Sequence, residues 1–209
     1  MIKAMKYLEL KENFKDFILF SISDILKIDA DFHAQRLSEW QEKGYIKKIA
    51  KGYYLFSDTK INESVLFITA NKLYAPSYIS LEMALSFYGI IPESVYTVTS
   101  ITSRRTKNLK TDIGQFSYAS IKPDLFFGDR LESFDQHNFR IAEPEKALLD
   151  YFYNNPEVKN TNSFYELRIN KDSFLEKVDT NKLDRYLKLF NNRALEQRIK
   201  KFIEFVTNA

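Results

Sequence analysis

The sequence predicts an α+β fold, and three observations carry that prediction. Apolar residues recur at helical spacing near both ends of the chain, a short strand-forming run doubles back at Ala50-Lys51-Gly52, and two further β-like stretches flank a basic segment in the middle.

Taken in order, Tyr7, Leu10, Phe14 and Phe17 predict an opening amphipathic helix of about four turns. The segment SISDILKI adds a brief helix capped by Ser21 or Ser23 and buried through Ile25 and Leu26. Asp31 is placed to cap a longer third helix, with Ala34, Leu37 and Trp40 as its inward stripe and Gly44 as its stop. GYIKKIAKGYYLF then reads as a hairpin with glycine at the turn. Three helices and a hairpin, in that order, predict a winged helix-turn-helix, whose later helix enters the major groove while the hairpin flanks it along the backbone. This first domain is expected over residues 1–58, with a boundary near 57 to 62 where the pattern changes.

Residues 59–209 predict a mixed α/β domain with an antiparallel sheet and C-terminal helices. Helices are expected at 62–74 and 80–88, the second capped by Ser80 and closed by Gly89. Residues 95–102 and 115–121 are read as an antiparallel pair joined by a long cationic loop, RRTKNLKTDIG, with further strands at 125–127 and 139–141. Pro144 suits a first helical turn, and Ala147, Leu148, Tyr151 and Phe152 give that helix an apolar face. From residue 163 the chain reads helical, with one stripe of Leu183, Tyr186, Leu187 and Phe190 and another of Leu195, Ile199, Phe202 and Val206, both expected to pack inward.

Composition narrows the function classes. With 44% hydrophobic residues the chain is expected to pack a core, and no window of about eighteen uncharged apolar residues interrupts it. The opening MIKAMKYLELKENF is broken by charge and does not resemble a signal peptide, so a cytoplasmic protein without a membrane partner is expected. There are no cysteines, and His33 and His137 are the only histidines; thiolate zinc sites, cysteine nucleophiles and three-histidine metal centres are excluded, and no cofactor or metal is expected. No dimerisation heptad is evident, which predicts a monomer.

The net charge is only +3, but it is unevenly placed. Lys43 to Lys51 holds four lysines and no acid, Thr102 to Lys122 holds five cations against Asp112, and the rest of the chain is net acidic. Such clusters either present surfaces to a polyanion or are two solvated hairpins. On the first reading, His33, Gln35 and Arg36 lie near the start of the third helix, where base edges are contacted; glutamine pairs with adenine and arginine with guanine. On the second, they form a solvated face with Arg36 paired to Glu39 or Asp31. Lys43, Lys47, Lys48 and Lys51 surround the wing as phosphate contacts, with Lys47 and Lys48 on opposite sides of the hairpin. Tyr45, Tyr53 and Tyr54 either stack on nucleic acid or pack the wing. Arg104, Arg105, Lys107 and Lys110 form a second basic patch, open to DNA, RNA or an acidic protein.

Catalytic motifs are scarce. Pro123-Asp124 followed by EPEK approximates a metal-dependent nuclease pattern, but two residues separate Glu143 from Lys146 and Glu145 is adjacent to it, so the acid–x–lysine spacing fails. No P-loop and no glycine-serine loop before paired aspartates is present. No catalytic residue, and no enzyme, is expected.

Four segments in order, RLSEWQEKGYIKKIAKGYYLF, YISLEMALSFYGIIPESVYTVTSITSRRTK, FSYASIKPDLFFG and IAEPEKALLDYFY, resemble the AbiEi-type antitoxins of type IV toxin-antitoxin, or abortive infection, systems of phage defence. The resemblance covers most of residues 5–155. It implies a transcriptional repressor that binds repeated promoter sites through a winged helix and counteracts a nucleotidyltransferase-like toxin. Direct binding of that toxin is not part of the implication. The rival expectation is a winged-helix module used only for protein interaction.

Overall fold

The computed structural model describes residues 5–92 and 96–208. Among them the chain forms ten α-helices and two sheets, an α+β architecture without any helix long and apolar enough to cross a membrane.

The first helix, α1 (Tyr7–Asn13), has two turns rather than four. The chain bends after Phe14, and Phe17 is left 41% exposed because its backbone N–H returns to the Phe14 carbonyl in a tight turn. A two-residue strand, β1 (Phe20–Ser21), leads into α2 (Ile22–Leu26), where Ser21 caps the helix and Asp24 returns a bond to the Ser21 N–H, completing a capping box. Ile25 is buried as expected, but Leu26 is exposed.

The third helix, α3 (Gln35–Glu42), begins later than the Asp31 cap predicts. Asp31 instead donates its N–H to the Asp29 carboxylate within a turn, and Phe32 supplies the buried contact expected of Ala34, which is exposed. Leu37 and Trp40 face inward, and Gly44, at φ +70°, lets the chain leave in the left-handed conformation. Strands β2 (Ile46–Ala50) and β3 (Tyr53–Phe56) form the hairpin around Lys51-Gly52, and β1 joins to give an antiparallel three-stranded sheet in the order β1-β3-β2.

Alternation along these strands serves two cores. Phe20, Ile46, Tyr54 and Phe56 pack with Leu10, Phe14, Leu37 and Trp40 in a smaller cluster, while Leu19, Ile49 and Leu55 belong to the larger cluster of the rest of the chain. The small sheet is therefore a shared wall.

Beyond it, α4 (Glu63–Leu73) is capped by the Asn62 side chain. A short strand, β4 (Ser77–Ile79), precedes α5 (Leu81–Phe87), and then come β5 (Thr97–Thr102), β6 (Lys107–Thr111), β7 (Gly114–Ser120), β8 (Asp129–Phe134) and β9 (His137–Ala142). The six-stranded sheet runs β6-β7-β5-β4-β9-β8 and is mixed, which corrects the antiparallel expectation. The two middle stretches, β5 and β7, are parallel, from Thr97 opposite Gln115 to Thr102 opposite Ser120. The supposed cationic loop contains β6, which hairpins with β7 and so reverses the direction in which β7 meets β5. Residues 125–127 form no strand: a 3-10 turn covers Pro123–Leu125.

The sheet separates two helical layers. On one face α4 packs through Phe67 on Phe139, and the Tyr118 hydroxyl donates to the Ala70 carbonyl. On the other lie α5 and α6 (Pro144–Asn154), followed by α7 (Thr161–Glu166), α8 (Lys171–Lys177), α9 (Thr180–Phe190) and α10 (Arg193–Asn208). Pro144 occupies the first turn of α6 as the sequence suggests, and the stripes of α9 and α10 are core, with Tyr186 half-buried beside them.

The α6 face is held by a wholly buried ion pair, Lys146 with Asp150, one helical turn apart. The Lys146 ammonium also donates to the Tyr78 hydroxyl (2.9 Å), and Tyr78 and Ser80 donate to Asp150 at 3.1 and 2.8 Å. Aromatic rings of Phe127 and Phe190 stand 5.2 Å from the same ammonium. Ser80 thus holds the N-cap position of α5 without capping it, because its hydroxyl is committed to Asp150. Leu81, next to it, takes φ +60°, a strained value for a branched side chain that its burial in the core holds in place. Burial pushes the Asp150 carboxyl up and the Lys146 ammonium down, and the mutual attraction of the pair opposes both.

At the start of α6, Glu143 accepts from the Tyr186 hydroxyl (2.6 Å) and pairs with Lys182 (2.8 Å), and Glu145 accepts the Asp179 N–H, so α9 is stapled to α6. Burial raises the Glu143 carboxyl, but the bonds from Lys182 and Tyr186 outweigh it and hold the group below the ordinary glutamate range.

Two outcomes follow for stability. Asp150→Ala strands a buried ammonium and is expected to cost about 3–5 kcal/mol in urea unfolding, while Lys146→Met with Asp150→Leu costs far less; equal losses would contradict the assignment. Glu143 has a depressed folded pKa, so its contribution is present above the unfolded value of about 4.3 and disappears as pH falls through the lower folded value. The gap in urea midpoint between the parent and Glu143→Gln should accordingly be wide at pH 6 and close toward pH 3.

Candidate nucleic-acid interface

The cationic residues divide into those fixed to the protein and those free to meet a ligand. Trp40 and Leu37 anchor α3 in the smaller cluster, which leaves His33 and Gln35 exposed at its leading end. His33 precedes the helix, and its carbonyl receives the Arg36 N–H. Arg36 pairs with neither Glu39 nor Asp31. Its guanidinium lies 5.7 Å over the Trp40 ring, with Nη1 buried and without a hydrogen-bond partner, so it covers the core more than it faces outward.

On the hairpin, Ile46 opposes Phe56, Lys47 opposes Leu55 and Lys48 opposes Tyr54, so the two lysines do point to opposite faces while both remain exposed. A bulge between Lys48 and Ala50 interrupts the register there. Lys43 follows α3 directly, and Lys51 stands at the turn beside Gly52, φ +82°; both are exposed. The tyrosines pack the hairpin: Tyr45 stacks on Tyr7 at 4.4 Å, Tyr54 lies beside Phe20, and Tyr53 packs on the larger cluster.

The second group is not one patch. On β6, Lys107 opposes Tyr118, whose ring is on the α4 face, whereas Lys110, three residues on, opposes Gln115 and points to the other face. Arg104 and Lys107 instead meet on Tyr74, just past the end of α4, each 4.6 Å from its ring. The Arg104 guanidinium donates to the Ala75 carbonyl, and the Tyr74 hydroxyl donates to the Arg105 carbonyl. Sequence reasoning had no means of finding Tyr74, since about thirty residues separate it from the cations it organises and its own surroundings read only as helix end.

Among the described residues, none of Lys43, Lys47, Lys48, Lys51, Arg104, Arg105, Lys107 and Lys110 pairs with a carboxylate. Their charge is left to be balanced by solvent ions or by a ligand. The carboxylates near the nuclease-like motif are otherwise engaged: Lys146 is sealed against Asp150, and Glu143 and Glu145 bind α9. No group of three or more acidic or histidine side chains suited to a metal occurs among the described residues.

Alanine at Gln35, Lys47 or Lys48 should leave the urea midpoint nearly unchanged, because these residues are exposed and outside both cores, whereas Arg36→Ala should lower it by uncovering Trp40. No protein-family model matches the chain, and no curated protein matches it.

Proposed function

We propose that the chain is a transcriptional repressor and antitoxin of the AbiEi type, binding promoter DNA through an N-terminal winged helix over residues 1–58 and counteracting a nucleotidyltransferase-like toxin through residues 59–209. The observation that carries the DNA-binding half is the juxtaposition of an exposed α3 leading end with a hairpin whose lysines are unpaired. The order α1, β1, α2, α3, β2, β3 supports the winged-helix reading. In it, Gln35 and His33 address base edges in the major groove, and Lys43, Lys51 and one of Lys47 and Lys48, which point to opposite faces of the hairpin, contact phosphates that position the domain without reading sequence. The antitoxin half rests on the resemblance of the four segments, and the cytoplasm is where such a repressor works.

One observation favours the rival, a protein-interaction module. The face of the hairpin carrying Leu55, and with it Lys47, is turned toward the larger part of the chain, so Lys48 is the better placed of the two for DNA.

The test is a mobility-shift titration of the full chain against the duplex upstream of its own reading frame. Retardation at low salt is expected, weakening as salt rises by about 0.9 in log–log slope per phosphate contacted. Lys48→Ala should lower that slope by about one such unit, and Gln35→Ala should reduce the preference for this duplex over a shuffled one without changing the slope. Absence of retardation at low salt would overturn the repressor reading. Growth rescue on co-expression with an adjacent nucleotidyltransferase-like frame tests the antitoxin half separately.

A further inference from the structure

We infer that Arg104, Arg105 and Lys107, organised by Tyr74, form a second phosphate clamp that grips the same duplex as the hairpin, so that the larger part of the chain takes a direct share in DNA binding. The inference rests on the DNA-binding reading above and adds a site to it.

Three observations converge. First, Arg104 and Lys107 are held at 4.6 Å from one ring, although like charges brought together repel, and no described carboxylate neutralises them. A pair of cations pre-positioned in this way loses little side-chain freedom when an anion arrives. Arg105 stands between them in the sequence, its carbonyl accepting from the Tyr74 hydroxyl and the residue exposed.

Second, the cluster lies at the end of α4 that meets the DNA-binding part. Lys72, two residues before Tyr74, donates to the Leu19 carbonyl and lies over the Phe17 ring. From Leu19 the path to the wing is short: Phe20 opposes Tyr54, and Tyr54 opposes Lys48. At about 3.8 Å per residue and about 4.8 Å per strand spacing, with one lysine side chain included, Tyr74 lies within roughly 30 Å of Lys48, less than the ~34 Å of one duplex turn.

Third, the sheet itself sorts the basic residues. Lys107 projects on the α4 face, the side from which Lys72 of α4 bonds the Leu19 carbonyl, and Lys110 projects on the opposite face with Asn108, Gln115 and Ser117. If these cations served only to keep the edge strand β6 from pairing with another chain, both faces would serve alike. A duplex engaged by the hairpin reaches only one of them.

The experiment compares full-length variants by the salt dependence of binding to the upstream duplex. Arg104→Gln with Lys107→Gln should lower the log–log slope by about 1.8, and Arg105→Gln by about 0.9. Lys110→Gln, on the far face, should leave it unchanged. Arg105 makes no side-chain contact that folding depends on, so its variant reads binding even if the double variant loses stability. Unchanged slopes in both the Arg105 and double variants, with the parent still binding, overturn the clamp alone, as does an equal loss from Lys110→Gln, which would mean diffuse charge. A parent chain that binds no duplex overturns the repressor reading together with the clamp. A single-stranded RNA of equal length, bound more tightly than the duplex and losing more on the same substitutions, would reassign the clamp to RNA.

Discussion

The buried pair of Lys146 and Asp150 is the constraint on which the larger part of the molecule depends. Both charges lie out of water, so neither is tolerable without the other and without the hydroxyls of Tyr78 and Ser80 that complete their bonding. The two hydroxyls come from the central strand β4 and from the residue that starts α5, while the pair itself comes from α6. One network therefore sets the position of two helices on one face of the sheet. It also accounts for one local irregularity, an N-cap serine that does not cap. Gly128 belongs to the same arrangement. At φ +73° it passes so near Lys146 and Tyr186 that an added Cβ would stand 3.1 Å from each.

A second organising feature is the three-stranded sheet, whose two faces belong to different cores. Such a wall couples the DNA-binding candidate to the rest of the chain more firmly than a linker would, and the Lys72 bond to Leu19 adds a polar contact at the same junction. The coupling has a functional cost and a gain. The hairpin face that carries Leu55 is partly taken up by the larger core, while the end of α4 near Tyr74 is tied through Lys72 to Leu19, which precedes the small sheet.

Charge placement, not net charge, is what a functional reading of this chain has to explain. Several acids are committed to other cations, Asp129 to Arg140, Glu143 and Glu145 to Lys182 and Asp58 to Lys11. Arg104 and Lys107 are left facing an aromatic ring, which attracts cations without discharging them.

Much of the local structure was legible in the residues themselves. Ser21 capping α2, Gly44 ending α3, the Lys51-Gly52 turn, Pro144 opening α6 and the stripes of α9 and α10 all follow from short-range chemistry, which acts over a few residues and so is written in sequence order. The exposed face of α3 and the lysines of the hairpin were legible for the same reason. What only the tertiary structure decided depends on contacts between distant segments. The parallel pairing of β5 with β7 turns on the insertion of β6 as a strand, and strand direction is a property of the whole sheet. The diversion of Ser80 from its helix depends on Asp150, seventy residues away. The division of the second basic group between two faces depends on β6 being a strand of the sheet, and Tyr74 as its organiser depends on where the end of α4 meets that sheet. Periodicity says which side of an element is apolar; it does not say which other element will lie against it.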